Sequence, residues 1–141
     1  MNHSQRRQGA FWGMLFNSGA DILEVAIRQG DIKFADQALL WALASRVKPS
    51  SGRVELRLVT LARRVGVTPA SLRNQMQRLR RADLVRLGEY DNGGEFWMIH
   101  PDLFCTGGDD ARRSRMRSWN ALPRYTPRQR SEAPAMTLQA A

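Results

Sequence analysis

Arg73, Asn74, Gln77, Arg78 and Arg81 recur at intervals of one, three and four residues, so a helix through them would carry them on one side. Each of these side chains presents paired hydrogen-bond groups or a charged fork. A guanidinium matches guanine O6 and N7, and a side-chain amide matches adenine N6 and N7. Arg73 and Arg78 therefore suit guanine and Asn74 and Gln77 suit adenine, with Thr68 and Ser71 adding hydroxyls at the start of the same segment. Arg63, Arg64 and Arg81 are better placed for phosphate oxygens. A merely solvated face could have the same composition. Contact with duplex DNA is the stronger reading, because the face carries no acidic residue until Asp83 and follows a tight turn.

Catalytic chemistry finds little support. His3 and His100 are the only histidines and Cys105 the only cysteine, and no spacing resembles a metal site or a nucleophile relay. Asp109 and Asp110 are better read as a helix cap than as Mg²⁺ ligands, and Cys105 as a small buried residue. No catalytic residue, metal or cofactor is expected.

The elements that must position the donors lie between Arg53 and Ile99. Leu61 to Met76 reads as two short helices joined by a turn: Gly66 supplies a left-handed residue, Thr68 an N-cap, Pro69 the first helical position, and Val67 a staple onto Leu72. Leu72, Met76 and Leu79 form the apolar stripe opposite the donors. Two β-prone runs follow, Leu84–Leu87 and Phe96–Ile99, separated by Gly88 to Glu95 with its Asn-Gly pair. Before the helices, Arg53 to Arg57 alternates like an edge strand. Together these elements predict an α+β fold, a winged helix-turn-helix with a small helical core and a β-hairpin wing.

Charge is concentrated on the same segment. The 141-residue chain has a formal charge of +9, and only Lys33 and Lys48 of its 22 basic residues are lysine. Arg53 to Arg86 holds nine arginines against Glu55 and Asp83, which leaves +7 of that excess on the helix-turn-helix segment. Arginine is the better residue for bidentate phosphate and guanine contacts, although GC-rich coding would also favour it over lysine. The wing tip is different: Glu89, Asp91 and Glu95 should repel a phosphate backbone, so the wing is expected to lie away from DNA or to bind protein. With one cysteine, no run near the roughly 20 apolar residues that span a bilayer and no signal-peptide pattern, a cytoplasmic setting away from membranes is expected.

The flanks complete the organisation. Residues 1–10 read as a disordered basic arm. Residues 11–30 form an N-terminal extension, in which Phe11 to Phe16 is a strand or hydrophobic anchor and Ala20 to Arg28 a helix capped by Asn17 or Ser18 and ended by Gly30. The winged-helix domain covers 31–104, its first helix lying within Asp31 to Val47 on Leu39, Leu40, Leu43 and Val47. Residues 105–119 form a basic extension in which Asp109 or Asp110 caps a helix carrying Arg112, Arg113, Arg115 and Arg117, with Met116 and Trp119 as its apolar contacts. Residues 120–141 have the composition of a disordered tail. The four closely spaced arginines are expected to follow a phosphate line without reading bases, and the four tryptophans to serve the core or a dimer contact.

The path from the last strand carries a closer likeness. Trp97-Met98-Ile99-His100-Pro101-Asp102-Leu103-Phe104, then Gly107, then Arg112 to Trp119, together with Leu61-Ala62, Gly66-Val67-Thr68 and Leu79, resembles the RepL-type replication proteins of small bacterial plasmids and related winged-helix regulators. His100 stands where those proteins usually have asparagine, and Arg57 where a Ser or Thr caps the first helix of the pair, so packing is expected to pin that helix. The resemblance implies a DNA-binding protein that initiates replication or controls transcription. The expected partner is double-stranded DNA, met as a homodimer whose contacts come from Phe11 to Phe16, Ala20 to Arg28 and Met116 to Trp119. The alternative is a winged-helix interaction module that docks protein through its acidic wing and binds nucleic acid only non-specifically.

Overall fold

The computed structural model describes residues 13–14 and 17–126. The described chain runs β1 (Gly13–Met14), α1 (Asn17–Arg28), α2 (Phe34–Ala44), β2 (Arg53–Val54), α3 (Leu58–Val65), α4 (Pro69–Arg81), β3 (Val85–Glu89), β4 (Glu95–Ile99), β5 (Cys105–Thr106) and α5 (Asp109–Ala121). The architecture is mixed α+β. An antiparallel sheet of order β2-β4-β3 pairs Val54 with Trp97 and Leu87 with Trp97 across the central strand, and a two-stranded ribbon pairs β1 with β5.

The apolar periodicity becomes the core. Leu39, Leu40 and Leu43 of α2, Leu61 of α3, Leu72, Met76 and Leu79 of α4, and Val54, Leu84 and Val85 beside or within the sheet are each at most 2% exposed. Burial of such side chains stabilises by roughly 1.5–3 kcal/mol apiece against full exposure, and it fixes which face of α4 is left for solvent. The α3–α4 turn forms as its residues require: Gly66 adopts φ 74°, the Thr68 Oγ1 accepts from the Ser71 amide at 3.1 Å, and Pro69 opens the second helix. Arg57 precedes α3 without a side-chain cap bond, so that helix is held by Leu61 and Ala62 packing.

Several boundaries differ from the sequence expectation. The edge strand is only Arg53–Val54, because Arg57 is already the extended residue that starts α3. The hairpin is longer: Gly88 and Glu89 pair with Phe96 and Glu95, leaving Tyr90 to Gly94 as the turn with Gly93 at φ 83°. Gly88 belongs in a strand here because a Cβ would lie 2.2 Å from the Phe96 ring and 2.8 Å from Leu122. The N-cap of α5 is Gly108, and Asp109 and Asp110 lie in the first turn, where the helix dipole favours carboxylates. The ordered chain also continues past Trp119: α5 reaches Ala121, and Arg86 Nη1 donates to the carbonyls of Trp119 at 3.0 Å and Leu122 at 3.3 Å. The expected basic arm, most of the Phe11 to Phe16 run and residues 127–141 lie outside the described residues.

His100 locks the turn between the sheet and α5. Its Nδ1 accepts the Asp102 amide at 3.1 Å and its ring centroid is 4.9 Å from that of Trp119. Burial pushes its pKa below the ordinary 6.5, reinforced by Arg86 and Arg112 and opposed by Asp102 and Asp83. The unfolded chain therefore takes up the proton first. The neutral ring's contribution is fully present above about pH 6.5 and is lost as pH falls through the lower folded value. His100→Asn, whose side-chain oxygen can accept the same amide, should flatten that part of the stability curve. Melting temperatures of the two proteins at about pH 5 and about pH 8 check this, and equal acid sensitivity would refute it.

Candidate nucleic-acid interface

Because Leu72, Gln75, Met76 and Leu79 turn inward, α4 exposes Arg73, Asn74, Gln77 and Arg81. Arg73, Asn74 and Gln77 line one shallow groove of about 410 Å³ together with Leu87, Glu95 and Trp97 of the hairpin. Thr68 is exposed and Ser71 half-buried at the start of the helix. Arg63 and Arg64, on the last turn of α3, are exposed as well. Among the described residues none of Arg63, Arg64, Arg73 and Arg81 forms an ion pair. This surface presents hydrogen-bond donors and unneutralised positive charge together.

Arg78 is placed differently from the other expected residues of α4, half-buried against α2. Its Nε donates to Asp36 Oδ2 at 2.8 Å and its Nη2 to Asp36 Oδ1 at 2.9 Å, so the fork that was to meet guanine closes on a carboxylate of α2. Asp36 is fully buried and also accepts the Lys33 amide at 2.8 Å, serving as the third helical residue of α2 reaching back to its cap. That hydrogen bond holds the Arg78 guanidinium protonated, above its ordinary pKa. Asp36 gave one sequence signal, an acidic residue inside an apolar helix.

The basic extension divides its arginines between intramolecular contacts and solvent. Arg112 donates from Nε to Asp102 Oδ1 at 2.8 Å and from Nη2 to the same oxygen, and Arg115 Nη2 donates to the carbonyls of Pro49 at 2.7 Å and Ser50 at 2.9 Å. These two arginines tie α5 to the turn before it and to the α2–β2 turn. Only Arg113 and Arg117 of the four are exposed, and Arg113 lies 4.0 Å from Asp110. Arg112 and Arg113 border a separate cleft with Asp109 and Met116, apart from the α4 groove. Trp119 is 2% exposed, its indole packed inside this chain.

At the hairpin tip Glu89, Asp91 and Glu95 are exposed without an ion-pair partner among the described residues. Behind the tip, Tyr90 donates to Glu55, Lys48 Nζ bonds Glu55 Oε2 at 2.5 Å, and Arg53 stacks 4.1 Å from the Phe96 ring. Those bonds lower the Glu55 pKa and raise that of Lys48. Burial raises the Cys105 thiol pKa, which keeps it in the unreactive protonated form. Arg80 was not among the expected site residues, yet it borders the α4 groove and lies over the rings of Trp97 and Tyr125. Among the described residues no helix is long and apolar enough to cross a membrane.

Compared with models of protein families, with curated proteins and with solved structures, the chain matches none.

Proposed function

We propose that this protein is a winged helix-turn-helix that binds double-stranded DNA sequence-specifically, with α4 as the reading helix and the α3 arginines on the phosphates. In this reading it acts in the cytoplasm as a homodimer, either as a transcriptional regulator or as a replication initiator of the plasmid or phage type. The observation that carries the proposal is the outward face of α4, where Arg73, Asn74, Gln77 and Arg81 are all exposed and neither arginine is neutralised within the described chain. Reading bases needs donors on an outward helical face that are not already spent within the protein, and the exposure of these four side chains supports the reading. The exposed Val25 and Ile27 of α1, and Phe34 and Trp41 of α2, support association with a second copy.

Arg73→Ala tests the proposal. If Arg73 reads a base, the substitution should cost about 1–3 kcal/mol at a preferred site and flatten preference at one position of a duplex library. Equal affinities of the variant and the parent across the library would remove the reading. The three carboxylates at the hairpin tip, unpaired among the described residues, favour a second reading, an interaction module that docks a basic protein there and binds DNA without selectivity. That reading expects duplex binding at low salt with no sequence preference at physiological salt.

A further inference from the structure

The chain after α5 turns back over the C-terminal end of α4. An open cleft of about 540 Å³ lies between them, bordered by Gln77, Arg80 and Arg81 of the helix and by Arg124, Tyr125 and Thr126 of the returning strap. The Arg80 guanidinium is 4.6 Å from the centroid of the Tyr125 ring and 5.6 Å from that of Trp97. Stacking fixes the plane of the fork, and among the described residues its N–H groups make no hydrogen bond, although Nε itself is buried. Arg80 and Arg81 have no ion pair among the described residues. Arg124 lies 3.8 Å from Asp83, but that carboxylate is already spanned by Arg86 at 2.9 and 3.0 Å, and Arg124 stays 72% exposed. Three guanidinium groups therefore border one cleft that, among the described residues, is lined by no carboxylate.

We infer that this cleft holds a stretch of the DNA phosphodiester backbone beside the segment that α4 reads. The inference rests on the DNA-binding reading and adds to it the strap that completes the interface. Gln77 borders both this cleft and the groove of Arg73 and Asn74, so a duplex laid on the outward face of α4 continues into the cleft. Guanidinium forks match phosphate oxygens bidentately. Arg80 takes one face of the Tyr125 ring, which leaves less of it for an unpaired base to stack on and favours a duplex backbone. Thr126 and Gln77 add uncharged polar groups at the rim.

The test uses the full chain, the parent against Arg124→Gln and against the pair Arg80→Gln and Arg124→Gln, on a library-selected duplex and its scrambled counterpart. Each lost phosphate contact should reduce the slope of log affinity against log salt by about 0.9, so the single variant should lose about one such step and the pair about two. Both duplexes should weaken by the same factor, leaving the ratio between them unchanged. Arg124 is exposed, so its single variant should melt like the parent and remain informative even if Arg80→Gln loosens the strap. A parental salt slope in a folded Arg124→Gln protein would overturn the inference while leaving α4 as the reader. A changed ratio between the duplexes would overturn it too, by making the cleft a base contact. Failure of the parent to bind either duplex at low salt would remove the DNA-binding reading and the cleft's role together.

Discussion

Arg78→Ala is expected to lower the free energy of unfolding by about 3 kcal/mol and, on the proposed DNA-binding reading, to leave the base preference in place. Asp36 is fully buried, and its carboxylate accepts from the Lys33 amide and twice from Arg78. Taking the arginine away strands a charge among Leu39, Leu40 and the other core residues, and breaking such a pair typically costs about 3–5 kcal/mol. The lower end applies because 29% of the Arg78 side chain is exposed, so water reaches part of the vacated site. Asp36→Asn keeps an acceptor for the Lys33 amide and should cost less than Arg78→Ala. Replacing both partners with leucine should recover most of the loss, since an apolar pair leaves no stranded charge. Urea unfolding of the four proteins reads the series. Unchanged stability in Arg78→Ala, accompanied by lost preference at one base, would return Arg78 to the reading face.

The Arg78 pair shows what sequence spacing could and could not reveal. The stripe of Leu72, Met76 and Leu79, the left-handed Gly66, the Thr68 cap and the Pro69 start are local signals, and each corresponds to a feature of the folded chain. Donor residues on a helix carry no such local sign of what they meet. Arg78 follows Gln77 and so sits about 100° further round α4, where α2 rather than solvent is its neighbour. Its partner is 42 residues away, at a distance where pattern says nothing. The run Arg112, Arg113, Arg115 and Arg117 has the same difficulty. Four arginines within six residues ring a helix, so a docked helix must turn some of them inward, and Asp102 and the Pro49 and Ser50 carbonyls receive them. The strap was less legible still. A single tyrosine in a polar, proline-containing stretch offers no periodicity, and its place over Arg80 depends on where α5 ends.

Trp119→Ala is expected to cost about 3–5 kcal/mol of stability, the range for emptying a core site of a large aromatic. The indole is 2% exposed, its ring centroid lies 4.9 Å from that of His100, and the Arg86 guanidinium stacks on it at 4.4 Å. Arg86 also donates to the Trp119 and Leu122 carbonyls, so removing the ring loosens the seat of α5 and of the strap that follows it. A loss of that size should lower the melting temperature by on the order of 10 °C. If the protein is a dimer, its mass by light scattering should be the same in parent and variant under conditions where both are folded, because a buried indole offers nothing to a second copy. On the proposed DNA-binding reading, binding should become less salt-sensitive as the strap detaches, whereas any preference owed to Arg73 should survive on α4, whose packing rests on Leu72, Met76 and Leu79. Near-parental stability together with a halved mass would instead make Trp119 an interface residue.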